Sequence, residues 1–371
     1  MNELYFDTSA TTCVYPEVVK VMNEIMLAEY GNASSLHALG DRSSKFLINS
    51  RANIARALGA RTHEIFFTSG ATESNNWVFS GLAHTNNLKK KILISQIEHP
   101  SVRETANLFR NWGYQIVEIP VYNDGFIDMR FIEENIDSNT LLVSVIHGNN
   151  IFGTIQDLKK IGDICKHKNT LFNTDAAQTF GKLKILVHDW NIDLLSASAH
   201  KIGGPKGVGL LYVKESVKFS PLIYGGGQEK GLRSGTENTA GIIGFAKALE
   251  ISKSEDWNSL NKMRDYLIEK LELLGGRIVG SKLKRIPNNI FVTFDRVDAE
   301  KLLYYLSSRG IYISTGSACD SKKEVEDVAL KAIGLTAKEM KSSIRISLPI
   351  RVTKKDVNYF LNVLKKLIPK I

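Results

Sequence analysis

Several features are scarce or absent in this 371-residue chain, and each absence excludes a class of protein. Only three cysteines occur, which argues against a disulfide framework and favours a reducing compartment. No run of about 18 uncharged apolar residues occurs, so no segment is predicted to span a membrane. The first residues lack a basic region followed by an apolar one, so no secretory signal is predicted. We therefore expect a cytoplasmic protein.

The composition is that of an ordinary globular protein, with 43% hydrophobic and 23% charged residues, and no internal repeat or low-complexity segment is present. The net charge is +9, and residues 320–371 carry 12 basic against 6 acidic side chains. An acidic partner or RNA is one interpretation of this charge, and a solvated lysine-rich surface is the other. We favour the second, without direct contact to nucleic acid or membrane.

Short apolar runs alternate with helical patterns over the first two thirds of the chain. Near-continuous apolar runs are typical of strands that are covered on both faces, and alternation with helices indicates a mainly parallel α/β sheet. Seven strands are predicted, at Glu64–Phe67, Lys91–Ser95, Gln115–Ile119, Leu141–His147, Leu171–Thr174, Leu194–Ala197 and Val208–Val213. Helices are predicted at Pro16–Tyr30, Ser43–Leu58, Thr72–His84, Pro100–Trp112, Leu158–Lys168 and Thr239–Lys253.

From about residue 256 onward, helices mix with short strands, which suggests a smaller α+β domain. We expect a large domain over residues 14–255 and a small domain made of residues 1–13 and 256–371. The predicted small-domain elements are the helices Leu260–Leu273, Ala299–Ser308 and Lys354–Leu367 and the strands Asn289–Phe294 and Ile344–Leu348.

The most informative run is 196–207, in which Lys201 follows a predicted strand among serine, histidine and glycine residues. A lysine in a partly desolvated site is suited to form a Schiff base. Ser198 and His200 are able to donate hydrogen bonds to a phosphate, and the neighbouring glycines let the backbone approach it. This run therefore indicates a covalently held, phosphorylated cofactor.

Three further positions follow predicted strands. Thr72 comes after a small-residue turn and begins a helix, where free N–H groups form either an anion site or a plain helix cap. Asp175 ends an apolar strand, at the sheet edge where open α/β folds bind ligands. Paired with a pyridine nitrogen, it would keep that nitrogen protonated. His99 is either a residue that stacks on a cofactor ring or a structural histidine.

In their order along the chain, these runs resemble the cysteine desulfurases of the NifS and IscS type, within the class-V aminotransferase group of pyridoxal-phosphate (PLP) enzymes. The resemblance covers nearly the whole chain and implies a PLP-dependent aminotransferase-like large domain of fold type I. Its motifs lie at residues 6–12, 31–35, 68–76, 98–100, 147–150, 174–178, 196–207, 225–229, 231–238, 317–319 and 342–345.

By matched position, the resemblance implies a set of PLP ligands. Lys201 matches the lysine that bonds the cofactor, Asp175 the pyridinium partner and Gln178 the residue bonded to the ring hydroxyl. His99 matches the ring-stacking histidine and is counted among the catalytic residues. The phosphate-binding set is Ala71, Thr72, Ser198, His200 and Thr236, the last supplied by the other subunit of a homodimer.

The resemblance also implies the substrate and the reaction. Asn150 and Arg345 match the groups that hold L-cysteine, and the group that Asn150 matches also lies beside the cofactor. Arginine suits this role because a guanidinium group binds an α-carboxylate with two hydrogen bonds. Cys319, in a run of small and polar residues, matches the cysteine that receives the sulfur as a persulfide. The implied products are L-alanine and sulfur for a protein acceptor, either an iron–sulfur scaffold or a tRNA-thiolation enzyme. Cys165 is expected in the core.

Three positions depart from the usual pattern of that family. Ile151, Asn173 and Gly203 stand where the family usually has glutamate, histidine and tyrosine. Two alternatives therefore remain open at this point. One is a selenocysteine lyase or another class-V PLP enzyme, and the other is a weakly active homologue that acts as a partner-binding module.

Overall fold

The computed structural model describes residues 3–86, 88–315 and 327–370, which contain thirteen strands and twelve α-helices. The strands are β1 (Leu4–Tyr5), β2 (Ile65–Thr68), β3 (Lys91–Ser95), β4 (Gln115–Ile119), β5 (Thr140–Ser144), β6 (Leu171–Asp175), β7 (Leu194–Ser198), β8 (Gly209–Val213), β9 (Gly276–Ile278), β10 (Asn289–Phe294), β11 (Ile311–Tyr312), β12 (Ser314–Thr315) and β13 (Ser343–Ser347).

The helices alternate with these strands in the first half of the chain. They are α1 (Pro16–Ala28), α2 (Ala38–Leu58), α3 (Ala71–Ala83), α4 (Pro100–Asn111), α5 (Met129–Asn135), α6 (Leu158–His167), α7 (Thr239–Ser254), α8 (Trp257–Leu273), α9 (Ala299–Ser307), α10 (Val328–Ala332), α11 (Ala337–Lys341) and α12 (Lys354–Leu367).

A seven-stranded sheet forms the largest layer, with the strand order β2-β8-β7-β6-β5-β3-β4. Its neighbouring strands are parallel, except that β8 runs antiparallel to both β2 and β7. The carboxyl ends of β2, β3, β5, β6 and β7 therefore lie at one edge of the sheet. The predicted mainly parallel seven-stranded sheet is confirmed.

Both faces of this sheet are buried except along the edge strand β4, which explains why neighbouring strand positions are often both apolar. Phe67 and Leu195 pack in the core cluster on one face, whereas their chain neighbours Phe66 and Leu194 pack in the cluster on the other. Full burial of such side chains stabilises the fold by roughly 1.5–3 kcal/mol each.

A second, antiparallel sheet has the order β12-β13-β10-β9, and β1 pairs in parallel with β11. Leu267, Ile290, Ile344 and Phe360 belong to a separate hydrophobic core around it. The chain after β1 stays close to this sheet, because Asp7 forms a parallel bridge with Ser347. Residues near the two ends of the described chain thus lie together.

Element bounds differ from the sequence predictions for local reasons. Strand β5 ends at Ser144 rather than His147, and the Ile146 N–H donates to a Glu98 side-chain oxygen at 2.6 Å. Helix α2 begins at Ala38 instead of Ser43, because the His37 side chain caps it by accepting from Gly40 N at 3.3 Å. Several short elements were not predicted: β1, β9, β11, β12, α5, α10 and α11.

The described ranges contain no helix that is both long and apolar enough to cross a membrane.

Candidate active site

Side chains from β2, β6 and β7 meet at the carboxyl edge of the seven-stranded sheet. Thr68 and Ser198 both pair with Gly209, on opposite sides of β8, and Asp175 pairs with Ser196 on β7. This register places the ends of three strands side by side. The sequence prediction that 68–76, Asp175 and 196–201 share one site is therefore consistent with the strand pairing.

The start of helix α3 lies against the end of β7. A side chain at Gly70 would place its Cβ 3.5 Å from Ser198 Oγ, so this hydroxyl lies beside the helix N-terminus. Gly209 permits this packing, because a Cβ there would lie 2.5 Å from Gly70 Cα. Ala71 and Thr72 open the helix, where backbone N–H groups without helical partners attract an anion.

Lys201 is half-buried in a short 3₁₀ turn directly after β7. Its Nζ donates to two carbonyl oxygens of the N-terminal segment, Ser9 O at 2.6 Å and Ala10 O at 2.8 Å. The same segment is tied to the Lys201 turn by Thr12 N, which donates to His200 O at 2.9 Å. The N-terminal segment therefore forms one wall of the lysine site.

Asp175 is buried at the end of β6, with both carboxylate oxygens hydrogen-bonded. Asn75 Nδ2 donates to Oδ2 at 2.8 Å, and Ala177 N donates to Oδ1 at 2.8 Å. Ser196 Oγ in turn donates to Asn75 Oδ1 at 2.6 Å, which fixes the amide orientation. Asn75 is a positioning residue that the sequence analysis did not identify, although it lies within the 68–76 motif.

His99 caps helix α4 and is connected to the same network. Its Nδ1 accepts from Ser101 N at 3.1 Å, and Ser101 Oγ accepts from Asn75 Nδ2 at 2.8 Å. Burial lowers the pKa of His99, with the Asp175 carboxylate acting in the opposite direction. The ring is therefore neutral near pH 7 with its proton on Nε2, which suits stacking on a flat ring.

Glu98 is a buried carboxyl next to His99 that the sequence analysis did not assign. Oε1 accepts from Ser95 Oγ and from Ile146 N, each at 2.6 Å, whereas Oε2 has no partner among the residues that the structure describes. Burial raises the pKa of Glu98 to about 8, and the nearby Asp175 carboxylate adds to the shift. Glu98 is thus mostly protonated at neutral pH.

Two further bases, the half-buried His200 and the buried Lys182, lie close enough to Lys201 to interact with its charge. Burial lowers the pKa of His200 to about 4, and the positive charge of Lys201 adds to this effect. His200 Nδ1 lies 3.1 Å from Thr11 Oγ1, which leaves Nε2 available to donate to an anion. Burial lowers the pKa of Lys182 to about 7, again with a contribution from Lys201. Lys182 carried no signal in the sequence.

Arg345 lies on β13 of the small sheet and is only 4% exposed. Its Nη2 donates to Asp7 Oδ1 at 2.8 Å, and its Nη1 donates to the Asn150 carbonyl at 3.3 Å. Asn289 Nδ2 approaches both Asn150 O and Ser9 Oγ, at 3.4 Å each. These contacts bring the two predicted substrate residues together, next to the segment that holds Lys201.

Gln178 and Thr236 occupy different settings. Gln178 is buried, and its Nε2 donates to Ser9 O at 2.9 Å. Thr236 is exposed, three residues beyond Arg233, whose Nε donates to Glu73 Oε1 on α3 at 2.9 Å. Thr236 therefore lies on a segment anchored near the α3 N-terminus, with its side chain at the surface of the single chain.

Of the three cysteines, Cys319 lies outside the described residues. Cys165 is fully buried in the core of the large sheet, as predicted, and burial strongly raises the pKa of its thiol. Cys13 is exposed.

The structure shows the surroundings of the three positions that depart from the family pattern. Gly203 has φ +80°, and a Cβ there would lie 2.1 Å from Tyr15 Cε2, so the Tyr15 ring fills that space. Asn173 is buried and donates through Nδ2 to Ser144 Oγ at 2.8 Å, which fits a polar residue on β6. Ile151 is buried in a hydrophobic cluster with Phe152 and Phe291. Nothing in the structure explains why Ile151 replaces an acid.

Comparison with known proteins defines the class of this protein. The family model for aminotransferase class-V matches residues 4–360. The chain belongs to the class-V aminotransferase family. A cysteine desulfurase IscS from Clostridium botulinum is 42% identical over 378 residues, which cover 99% of this chain and 94% of that protein. A mitochondrial cysteine desulfurase from Arabidopsis thaliana is 37% identical, with 99% and 83% covered.

Solved structures agree with the sequence relatives. A NifS-like protein superposes with a TM-score of 0.94 at 37% identity over 100% of both chains. SspA in complex with cysteine superposes with a TM-score of 0.85 at 35% identity, over 94% of this chain and 100% of that one. Within the class-V family, the chain is thus a member of the NifS and IscS group.

PLP is the cofactor of this group, and the residues present fit it. Lys201 supplies an amine, and the Asp175 carboxylate is buried and held in place. Gln178 Oε1 is buried without a hydrogen-bond partner in residues 3–86, 88–315 and 327–370, so it is available to a ring hydroxyl. The α3 N-terminus and Ser198 lie side by side for a phosphate.

Proposed function

We propose that this chain, a PLP-dependent cysteine desulfurase, converts L-cysteine to L-alanine and passes the sulfur to Cys319. The arrangement of Lys201 and Arg345 about one segment carries the proposal. Ser9 O accepts from Lys201, and Asp7, two residues earlier, accepts from Arg345. Two residues span at most about 7 Å of backbone, so the Lys201 amine and the Arg345 guanidinium are held by neighbouring groups of one short segment.

The roles of the cofactor ligands follow from their settings. When bound, PLP supplies a ring that accepts electrons from the substrate Cα. Asp175 would pair with the ring nitrogen, and Asn75 keeps its carboxylate oriented. Gln178 would accept from the ring hydroxyl, and His99 would pack on the ring as a neutral imidazole. Phosphate binding is proposed for Ala71, Thr72, Ser198, His200 and Thr236.

The substrate is held and deprotonated by residues of both sheets. Arg345 binds the α-carboxylate, beside Asn150, and Lys201 both bonds the cofactor and takes the α-proton. Cys319 then attacks the substrate sulfur as a thiolate and becomes a persulfide, while the substrate Cβ–S bond breaks, its electron pair stays with the substrate carbon, and that carbon takes up a proton to give alanine. This last role remains a prediction from the sequence.

We propose the predicted division into domains as well, with residues 14–255 as the large domain and residues 1–13 and 256–371 as the small one. The separate hydrophobic core around β10 and β13 supports it. The pairing of β1 with β11 supports the assignment of the first residues to the small domain.

A homodimer is proposed because apolar side chains are exposed on α1, on α2 and in the loop between these helices. Leu27 on α1 is 80% exposed, Ile48 on α2 is 57% exposed, and Tyr30 and Leu36 in the connecting loop are also exposed. Thr236 is exposed in the single chain, consistent with a phosphate ligand donated to a partner. The proposed sulfur acceptor is an iron–sulfur scaffold or a tRNA-thiolation enzyme, in the cytoplasm.

Product analysis with cysteine variants tests the proposed function. Holoenzyme with L-cysteine and a thiol reductant is expected to release alanine and sulfide in equal amounts. Cys319→Ala is expected to lose sulfide release while Cys13→Ala, the exposed control, retains it. Full activity of Cys319→Ala with selenocysteine but not with cysteine would instead indicate a selenocysteine lyase. Bound PLP without any product would indicate an inactive partner-binding homologue.

A further inference from the structure

Asp7 is the anion that faces the predicted substrate-binding arginine. The Arg345 guanidinium is almost completely buried, and the Asp7 side chain is 19% exposed. Their contact is a single hydrogen bond, from Nη2 to Oδ1 at 2.8 Å. A buried guanidinium without a counter-charge is strongly unfavourable, so Asp7 stabilises Arg345 before any substrate arrives.

This contact uses only part of the guanidinium. Nη1 donates to the Asn150 carbonyl at 3.3 Å, whereas Nε is buried and has no hydrogen-bond partner among the described residues. An arginine presents five N–H donors in a fixed plane, and a carboxylate binds two of them in parallel. The contacts to Asp7 and Asn150 therefore orient the plane while leaving Nε for an incoming carboxylate.

The position of Asp7 is itself fixed by the chain around it. Thr8 Oγ1 donates to Ser347 O at 3.1 Å, and Ser9 N donates to Ser347 Oγ at 2.8 Å. Asn288 Nδ2 donates to Thr8 Oγ1 at 2.8 Å from the small-sheet region. Ser347 lies two residues after Arg345 on the same strand, so Asp7 and Arg345 are held on one rigid support.

We infer that Asp7 is a substrate-positioning residue, which holds the Arg345 guanidinium in the orientation that binds the α-carboxylate of the amino-acid substrate. The inference rests on the proposed function, with Arg345 as the carboxylate ligand. Asp7 acts through Arg345 and does not contact the substrate. Its removal is expected to weaken binding of every ligand that carries an α-carboxylate, substrate and product alike.

The test compares Asp7→Ala and Asp7→Asn in the PLP-loaded protein. For Asp7→Ala we expect the KM for L-cysteine and the Kd for L-alanine both to rise about tenfold, which is a loss of about 1.4 kcal/mol. We expect kcat to stay within about twofold, since binding lost equally from ground and transition state changes KM alone. Asp7→Asn keeps an acceptor oxygen but loses the counter-charge, so its KM and Kd are expected to lie between those of Asp7→Ala and wild type.

Two controls separate positioning from a general loss of structure. Glu255→Ala breaks a surface ion pair with Arg351, 3.1 Å long, and is expected to leave KM and Kd unchanged. In an Arg345→Ala background, Asp7→Ala is expected to have no further effect on alanine binding, because the two residues act as one unit. The cofactor absorbance of every variant reports an intact PLP site.

Three results would overturn the inference. An unchanged alanine Kd in folded Asp7→Ala would show that Arg345 needs no anchor. A lower Kd would show that Asp7 competes with the substrate for the guanidinium. Additive effects in the double variant would show that Asp7 acts elsewhere. Calorimetry with L-alanine needs no turnover, so it tests the role of Asp7 independently of the reaction. If the protein binds alanine through Asp7 and Arg345 but forms no product from cysteine, only the proposed function is contradicted.

Discussion

Asn75 is the residue on which the orientation of Asp175 depends, since its amide reaches Asp175, Ser101 and Ser196 at once. Replacing Asn75 with alanine removes the donor to the carboxylate and leaves Ser196 without its acceptor. We expect kcat to fall about ten- to a hundredfold, as for the loss of a hydrogen bond to a charged group worth about 1.5–3 kcal/mol, with PLP still bound.

Asn76→Ala is the matched control, because the neighbouring asparagine donates to Thr72 O within its own helix. Steady-state kinetics and the cofactor absorbance of the two variants make the comparison. Equal kcat values for them would contradict a role of Asn75 in positioning Asp175.

Glu98 predicts a pH dependence of stability. Its folded-state pKa, about 8, lies above its ordinary value of 4.5 because the charged form is buried. The folded protein therefore keeps a proton that the unfolded chain has lost, so this contribution is fully present below pH 4.5 and disappears as pH rises through about 8. Glu98→Gln stays neutral, and we expect its melting temperature relative to wild type to rise as pH increases over this range.

Thermal unfolding of both proteins across that range, in the same buffer series, measures the difference. A constant offset between wild type and Glu98→Gln would mean that Glu98 titrates normally. Asp124→Asn, which changes an exposed carboxyl on a turn, is the matched control.

At this scale the sequence predicted residues with distinctive chemistry inside recognisable runs, such as Lys201 and Asp175. It did not predict their supports. Asp7 and Arg345 are 338 positions apart, and Asn75 and Asp175 are 100 apart. No local pattern reports such pairs, because they form only when distant segments meet. Glu98 could not be predicted as a site residue, because an acidic residue in a sequence gives no indication that it will be buried.

At the level of secondary-structure elements, the seven strands of the large sheet were predicted to within a few residues. Their signal is strong because both faces of most strands are buried, so apolar residues are not confined to alternate positions. The missed elements are short. Strand β12 has two residues, and α5 has seven. Asp128 caps α5 by accepting from Arg130 N at 2.9 Å. An aspartate at this position is the sequence feature that indicates the start of that helix.

The sequence pattern also does not predict that β8 runs antiparallel to its two neighbouring strands. The apolar residues of β8 follow the same pattern as those of the parallel strands in the sheet. Only the tight connection between the Lys201 turn and β8 shows that β8 runs in the opposite direction. Val208 O accepts from Ala199 N at 3.0 Å, which closes that connection. The reversal matters for the site, because it brings Gly209 between Thr68 and Ser198.

For the whole molecule, the exposed apolar side chains of α1 and α2 predict the state of association. Leu27→Glu with Ile48→Glu places two charges on the proposed dimer surface, where their desolvation is costly. We expect this double variant to be monomeric and to bind PLP more weakly, since Thr236 would no longer reach a partner site. Light scattering after size-exclusion chromatography measures the mass, and cofactor absorbance measures occupancy.

Leu283→Glu provides the control, because Leu283 is 94% exposed but lies far along the chain, before β10. It is expected to leave the protein dimeric. A dimeric Leu27→Glu, Ile48→Glu variant, or a wild type that is monomeric at micromolar concentration, would contradict the proposed interface.

The bridge between Asp7 and Ser347 also has a consequence for folding during synthesis. The large sheet is complete once Val213 has left the ribosome, whereas β13 is made more than a hundred residues later. Asp7 has no pairing partner during this interval, since two distant residues come into contact only after the chain between them has been closed into a loop. A nascent chain therefore possesses the sheet that supports Lys201 well before it possesses a binding site for an amino acid.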